Sequence, residues 1–416
     1  MVSRLKVNFN KSHVYGIGGE CNVVREWSIP LGCEPPSLPF TYLGVPVGEN
    51  MNQKSAWKPI IDKSKAKLLI WKSKTLSSGG QISLAKAVLG NLPTYYLSLF
   101  AAPIGVIHEL EKIQRQFIWR GTENKSSIHW VSWEKITAPK QVGGMGLGSL
   151  RTLNLALLSK WLWKLKVDLS HLWACIITDL HKPGNNFNYC YAKKSLNGVW
   201  SNIVKSLTAM EKLGLSTREV MNLTNSNNSW ILDFTENGDL SVALLRTRLD
   251  WATHPIPDGE FTWSNVVPKK VSCFVRRAKQ NRITSLVALN KRGVPVNSIT
   301  CGACQTNEET TNHLFIGCMM AKEVWSKVEQ WCGVPYVIHD CTTVSEVLAR
   351  DRKGRQWPKE KKIMDAIKYR TIWCLCQARN EWVFRDFRSQ PAKIMDNIKS
   401  VLFTWIKHII NKRVLD

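Results

Sequence analysis

The sequence contains no long apolar run and comparatively few acidic residues. Over its 416 residues, no stretch approaches the roughly 20 apolar residues that a membrane-spanning helix requires. The opening MVSRLKVNFNKSHVYGIGG lacks the apolar segment of a secretory signal peptide. We therefore expect an intracellular protein of the nucleus or cytoplasm that is not secreted. Neither a membrane nor a small-molecule substrate is expected as its partner.

The balance of charge is strongly basic. Lys and Arg number 57 against 32 Asp and Glu, which gives a formal charge of +25 at pH 7. A surplus of this size favours a polyanionic partner, and a nucleic-acid backbone is the commonest one. The alternative is a basic surface that only keeps the protein in solution. Apolar residues make up 44% of the chain and charged residues 21%, as in ordinary folded proteins.

The sharpest motif is a set of metal-ligand residues. Cys301, Cys304, His313 and Cys318 follow the pattern C-x2-C-x8-H-x4-C. The two-residue gap lets both thiolates face one metal, and Gly302 suits the tight turn between them. In a reducing compartment such residues indicate one structural Zn²⁺ with no open coordination position. The alternative is a buried apolar cluster around the adjacent LFI segment.

Hydrophobic periodicity predicts a mainly α protein with small β elements, of the α+β class. Short strands are expected in LKVNF, KSHVYGIG, FTYLGVPVG and IHWVSWEKI. The turn residues 236–238 predict a β-hairpin between strands at 230–234 and 240–242. The polar stretch 222–229 is expected to separate this unit from the preceding one.

Helices are expected where apolar residues recur at intervals of three and four. They begin near Asn52, at the cap Ser77-Ser78 and at Pro103, and a further one covers Leu153–Leu165. Two long helices near the C-terminus, the second starting at Pro391, are expected to form an αα-hairpin that covers the metal unit.

Long segments of the chain resemble plant LINE-type (non-LTR) retrotransposon reverse transcriptases. Four segments resemble the region that follows the polymerase palm in those proteins: VNFNKSHVYGIG, FTYLGVPVG, WKSKTLSSGGQISLAKAVLGNLPTYYLSLF and PKQVGGMGLGSL. Three later segments resemble the C-terminal zinc-binding domain of the same proteins: FTWSNVVPKKVSCFVRRAKQNRI, LNKRGV and CGACQTNEETTNHLFIGCMMAKEVW. The resemblance implies that Cys301, Cys304, His313 and Cys318 hold the zinc. One departure is Arg276, where the family usually has Trp, and this replacement is expected to weaken core packing.

The resemblance also implies a division of the chain. Residues 1–50 would be a remnant of the palm edge with short strands, and 51–180 a helical thumb and connection region. A linker with a helical segment (181–229), the reverse transcriptase zinc-binding domain (230–335) and a C-terminal helical hairpin (336–416) would follow. Polymerases of this family hold two Mg²⁺ ions through palm carboxylates that include an Asp-Asp pair. The sequence has no such pair, so we expect no polymerase activity from the isolated chain.

The thumb of such enzymes grips the template-primer backbone through a basic face, which implies largely sequence-independent contacts. Basic residues next to aromatic ones around the zinc motif suit RNA in the same way. The candidate residues for contact with RNA or DNA are Lys58, Lys65, Lys72, Lys74, Lys86, Lys269, Lys270, Arg277, Lys279, Arg282 and Arg292.

These features favour a non-catalytic, nucleic-acid-binding C-terminal part of a LINE-type RNA-directed DNA polymerase. It would bind template RNA and target DNA through basic helices and the Cys3His knuckle. One alternative is a subunit-like fragment that supports reverse transcription in trans, together with the missing polymerase or endonuclease part. Another is a structural relic without nucleic-acid function.

Overall fold

The computed structural model describes residues 14, 21–30, 32, 38–70, 76–119, 129–181, 191–193, 195–196, 198–215, 223–226, 229–232, 240–253, 261, 263–333, 340–350 and 358–412. Within these ranges no helix is long and apolar enough to cross a membrane. The strands expected in LKVNF and KSHVYGIG lie outside the described residues, apart from Val14. The mainly helical fold class with small β elements is confirmed.

Two helices in the first half of the chain begin at capping serines. The Ser77 hydroxyl accepts a hydrogen bond from the Gly80 N–H, and Ser149 accepts one from the Arg151 N–H. The elements are α1 (Cys21–Ser28), β1 (Phe40–Tyr42), β2 (Val45–Val47), a 3-10 turn (Lys54–Trp57), α2 (Lys58–Ile70), α3 (Ser78–Leu84) with a π-turn (Ala85–Leu89), α4 (Thr94–Leu99), α5 (Ile104–Trp119), α6 (Trp133–Thr137), a 3-10 turn (Lys140–Val142), α7 (Leu150–Val167), α8 (Leu172–His181) and α9 (Val199–Glu211).

The segment expected to be one strand, FTYLGVPVG, forms an antiparallel hairpin of β1 and β2. Tyr42 pairs with Val45, and the two turn residues between them, Leu43 and Gly44, have φ of 50° and 81°. Positive φ at both positions suits the right-handed twist of a two-residue hairpin. The hydroxyl of Tyr96 donates to the Gly44 carbonyl at 2.9 Å, so the turn is fixed by a helix distant in sequence.

The core of the helical region forms around Trp57. Its side chain is fully buried, and its indole N–H donates to the Met51 carbonyl at 2.9 Å. The ring lies 5.7 Å from that of Tyr96. Burying an aromatic side chain with its polar group satisfied makes a large contribution to stability.

Helix α7 lies at the centre of this region. The Asn154 side-chain amide donates to the Leu97 and Phe100 carbonyls and its oxygen accepts from the Ala102 N–H. One buried amide therefore provides hydrogen-bond partners for backbone groups at the end of α4 and in the loop that follows it. The predicted helix over 153–165 is confirmed and is longer, because Ser149 caps it earlier.

Two predicted strands were wrong. The IHWVSWEKI segment contains helix α6, on which Ile136 is buried. The hairpin expected around 236–238 also differs, because strand 229–232 pairs with 223–226, inside the stretch expected to be a polar separator. Val242 instead begins a helix, and residues 233–239 lie outside the described part. At α6, packing of Ile136 against residues distant in sequence overrides a short local pattern.

The second half is also helical. Its elements are β3 (Leu223–Ser226), β4 (Ser229–Leu232), α10 (Val242–Thr253), α11 (Lys269–Lys279), α12 (Leu286–Asn290), a π-turn (His313–Gly317), α13 (Met319–Cys332), α14 (Val344–Ala349), α15 (Pro358–Arg385) and α16 (Pro391–Lys412).

One hydrophobic core joins α11, α13, α14 and the hairpin of α15 and α16. It extends from Phe261 to Leu402 and includes the fully buried Phe315 and Trp325. The predicted αα-hairpin therefore packs on the metal unit. Helix α10 instead packs its Leu245 and Leu249 with Leu155 of α7. The domain boundaries given above stay predictions.

Candidate functional site

The four predicted zinc ligands lie together in the structure. The ligand atoms of Cys301, Cys304, His313 and Cys318 all lie within 4.8 Å of one another. The Cys301 and Cys318 sulfurs are 4.0 Å apart, and the Cys304 sulfur is 3.2 Å from Nε2 of His313. These are the four residues that the sequence spacing singled out.

The first two cysteines lie on a hydrogen-bonded knuckle. The Gln305 N–H donates to the Cys301 carbonyl, and the Cys301 N–H donates to the Asn307 carbonyl, both at 2.8 Å. Gln305 has a φ of 58°, a left-handed conformation that reverses the chain. Both thiols therefore face the same point.

The other two ligands come from consecutive elements. His313 begins the π-turn, and Cys318 is the residue immediately before α13. The Cys318 N–H donates to the His313 carbonyl at 2.7 Å, which fixes the spacing of the two side chains. The Cys304 sulfur also accepts a hydrogen bond from the Thr306 hydroxyl at 3.3 Å.

The donor set fits zinc. Tetrahedral Zn²⁺ with bonds of about 2.3 Å to sulfur and about 2.0–2.1 Å to nitrogen requires ligand atoms roughly 3.6–3.8 Å apart. The Cys301–Cys318 and Cys304–His313 distances, 4.0 and 3.2 Å, lie on either side of this range. Three thiols and one imidazole suit a soft, closed site. The geometry and the residue types support one structural zinc ion.

The two buried cysteines differ in acidity. The hydrogen bond between the Cys301 and Cys318 thiols, together with burial, raises the pKa of Cys301 to about 12. The same hydrogen bond lowers the pKa of Cys318. Two thiols this close resist losing both protons unless a cation compensates the charge. Zinc binding would therefore release protons from the pair.

The C-terminal hairpin packs directly on the knuckle. A Cβ at Gly302 would lie 2.6 Å from Nε1 of Trp382 on α15, so the glycine permits close approach of the hairpin. Glu309, almost fully buried, pairs with Arg379 of α15 at 2.7 Å and accepts from the Leu286 N–H at 3.0 Å. Sequence reasoning missed Glu309 because only the fold brings its partners together.

The thumb candidates that the structure describes are exposed. Lys58 and Lys65 lie on α2, and Lys86 lies in the π-turn after α3. Lys65 forms an ion pair with Glu109 at 2.9 Å, and Lys54 pairs with the same carboxylate. Lys72 and Lys74 lie outside the described residues.

The candidates near the zinc motif differ in exposure. Lys269, Lys270, Arg282 and Arg292 are exposed, whereas Arg277 and Lys279 are half-buried. The Arg277 Nε donates to the Arg282 carbonyl at 3.0 Å, which fixes the turn after α11. Lys270 lies 5.9 Å from the ring centre of Trp373.

The fold brings the two candidate groups together at one place. Lys269 donates to the Ser83 hydroxyl at 3.3 Å across the contact between α11 and α3. Burial, and then the charges of Lys140, Arg246 and Lys269, lower the pKa of Lys86. Lys140 and Arg246 were not among the candidates, because they lie far apart in sequence. We call Lys86, Lys140 and Lys269 the junction lysines.

Arg276, the departure from the family pattern, is buried in the junction rather than exposed in the basic run. Its Nε donates to the Gly143 carbonyl, and Nη2 donates to the Lys135 carbonyl at 3.0 Å. Burial lowers its pKa to about 10. Its Nη1 makes no hydrogen bond within the described part of the chain. The guanidinium thus cross-links the two regions, at some cost in desolvation.

A closed Cys3His site on a small helical unit defines the class of a structural zinc-binding domain. Residues 247–325, which include all four ligands, match the family described as zinc-binding in reverse transcriptase. The chain therefore contains a C-terminal region related to reverse transcriptases, and the resemblance seen in the sequence is confirmed.

Two curated relatives come from Arabidopsis thaliana. The chain is 29% identical over 165 residues to a putative ribonuclease H protein; the match covers 39% of this chain and 27% of that protein. It is 27% identical over 114 residues to an uncharacterized mitochondrial protein; here the match covers 27% of this chain and 74% of the relative. The chain thus spans about a quarter of the first relative.

Proposed function

We propose that this chain is a non-catalytic, nucleic-acid-binding C-terminal part of a LINE-type RNA-directed DNA polymerase. It would hold template RNA and target DNA, largely without regard to sequence, near a polymerase on another part of the element's protein. The observation that carries the proposal is the convergence of the junction lysines, which come from three separate segments.

Cations held close together raise the free energy of the protein through repulsion, and a phosphate group bound between them would lower it. Two of the three junction lysines lie outside the zinc motif and one lies on its first helix. A nucleic acid bound there would contact both regions at once. The zinc ion would act indirectly, since it fixes the fold that holds α11 against α3.

The test is binding of a fluorescent structured RNA to the zinc-loaded chain across a salt series. We expect a steep loss of affinity with salt, because each neutralised phosphate releases counterions. Replacing Lys86, Lys140 and Lys269 together by Ala should lower the slope by roughly 0.7–0.9 per lost contact. Chelation of zinc should weaken binding further.

A matched control removes three exposed lysines elsewhere. Lys160, Lys205 and Lys212 lie on or next to α7 and α9, and their replacement by Ala changes net charge equally. If the two triple variants weaken binding equally, the binding depends only on net charge and not on the junction lysines. Binding that ignores salt would contradict the proposal. Primer extension on mixing with a separate fingers-palm fragment would favour the role in trans.

A further inference from the structure

A cleft lies beside the zinc unit, away from the four ligands. It has a volume of about 240 Å³, below the roughly 300–1,000 Å³ of pockets for drug-sized ligands. It therefore suits one small group and not a drug-sized ligand. Its lining residues are Trp119, His129, Trp130, Val131, Ser132, Lys135 and Arg282.

Two stacks of planar groups form the cleft and its rim. The His129 ring lies on the Trp119 ring with centres 4.1 Å apart and planes within 18°. The Arg292 guanidinium lies 4.3 Å from the ring centre of Trp130. His129 and Arg292 are exposed, whereas the two tryptophans are half-buried. In each stack an exposed planar group therefore lies on a half-buried tryptophan ring.

The two stacks are joined to each other. Nη1 of Arg292 donates to the His129 carbonyl at 2.9 Å, which connects the zinc unit to the helical region. This bond fixes the guanidinium plane over Trp130. Arg guanidinium planes and aromatic rings are the surfaces on which proteins stack unpaired bases.

The charge of the cleft suits a phosphate beside the base. Lys135 and Arg282 line it and Arg292 stands at its rim, and none of its described lining residues is acidic. The Arg282 turn is held by the Arg277 side chain and follows Asn281, which has a φ of 53°. A cationic and aromatic cleft of this size favours a nucleotide over an apolar side chain.

We infer that this cleft binds an unpaired nucleotide, whose base stacks on His129 or Arg292 and whose phosphate pairs with Arg282. The inference rests on the proposed nucleic-acid binding and specifies the strand state it recognises. Bases inside a duplex already stack on their neighbours, so they cannot occupy the cleft. A single-stranded end or overhang can.

The test compares a blunt DNA duplex with the same duplex carrying a short oligothymidine overhang, each fluorescently labelled. The wild-type chain should bind the overhang form more tightly at every salt concentration. Arg292→Lys keeps the charge but removes the plane, and His129→Ala removes the exposed ring. Each should weaken overhang binding about tenfold. His129→Ala, which removes no formal charge, should leave blunt-duplex binding unchanged, and Arg292→Lys should weaken it far less than overhang binding.

Matched controls separate stacking from charge and folding. Lys291→Ala removes the adjacent exposed charge and should weaken both DNAs alike. His129→Phe keeps a planar ring and should retain overhang binding. Zinc content and circular dichroism should equal those of wild type for every variant, since both target residues are exposed.

The outcomes are distinguishable. If the wild type gains nothing from the overhang, or if Arg292→Lys weakens both DNAs equally, the cleft does not bind unpaired nucleotides. The proposed function would then still stand on the salt-dependent binding of the blunt duplex. If neither DNA nor structured RNA binds in a salt-dependent way, the proposed function itself fails.

Discussion

The helical region and the zinc unit each bury a large tryptophan in the same manner, yet among the described residues only the zinc unit brings a set of metal ligands together. Trp57 donates its indole N–H to the Met51 carbonyl, and Trp325 donates its own to the Phe315 carbonyl, each at 2.9 Å. Both side chains are fully buried. The zinc unit adds four ligands on short loops. A bound metal would therefore add a source of order to these loops beyond the apolar core.

The largest expected effect comes from removing the metal. Chelation or Cys301→Ser should expose the backbone of 300–332 to hydrogen exchange, because structural zinc contributes much of the folding free energy of such units. Helices α2 and α5 should keep most of their protection, since their core around Trp57 contains no ligand. Hydrogen exchange read by mass spectrometry checks both regions in one experiment.

Cys175→Ser is the control, because this thiol is exposed and lies outside the site. It should leave zinc content and exchange unchanged. Equal loss of protection in both regions after chelation would show that the two fold as one cooperative unit.

The next largest effect is expected from a substitution in the core around Trp57. Trp57→Ala should lower the free energy of unfolding by about 3–5 kcal/mol, as for large core aromatics generally. Urea denaturation of the zinc-loaded chain measures it. Zinc stoichiometry should remain at one ion, and Trp57→Phe should lose less stability. Loss of zinc from Trp57→Ala would contradict the independence of the two cores.

The junction between the regions gives a smaller effect. Arg276→Met leaves the Gly143 and Lys135 carbonyls without their guanidinium donors, which should cost about 1–3 kcal/mol. Denaturation of this variant beside Arg277→Met, on the same helix but half-buried, measures the difference. The family usually has Trp at this position. If the Arg276→Trp variant has the same free energy of unfolding as the wild type, packing of the Trp ring can replace the lost hydrogen bonds.

The smallest effect is expected at the surface of the helical region. Glu109→Gln removes pairs with Lys54 and Lys65 and should cost no more than about 1 kcal/mol. Hydrogen bonds from Lys54 and then Lys65 lower the pKa of Glu109. Its contribution is therefore present above the unfolded pKa of about 4.3 and is lost as pH falls through the folded value. Stability curves of the two proteins should converge in acid, and a constant difference would contradict this.

Local patterns predicted the features that neighbouring residues determine. The Ser77 cap, the helix after Pro103 and the long C-terminal helices each depend on contacts within a few residues. The strand predicted at 128–136 was wrong, because Ile136 is buried against residues distant in sequence. The strand predicted at 240–242 was also wrong, since Val242 begins α10. Gly302 was expected to serve a turn, whereas its lack of a Cβ also admits Trp382.

The sequence by itself determined the zinc ligands, since their spacing lies within a short loop whose geometry is local. It also determined the basic character of the chain and most of the helices. Tertiary structure alone decided that α11, which carries Lys269, packs against α3 beside Lys86. It also decided that Arg276 is buried and that Arg292 bonds the His129 carbonyl beside the cleft. Those arrangements depend on packing between segments far apart in the chain, which no local pattern specifies.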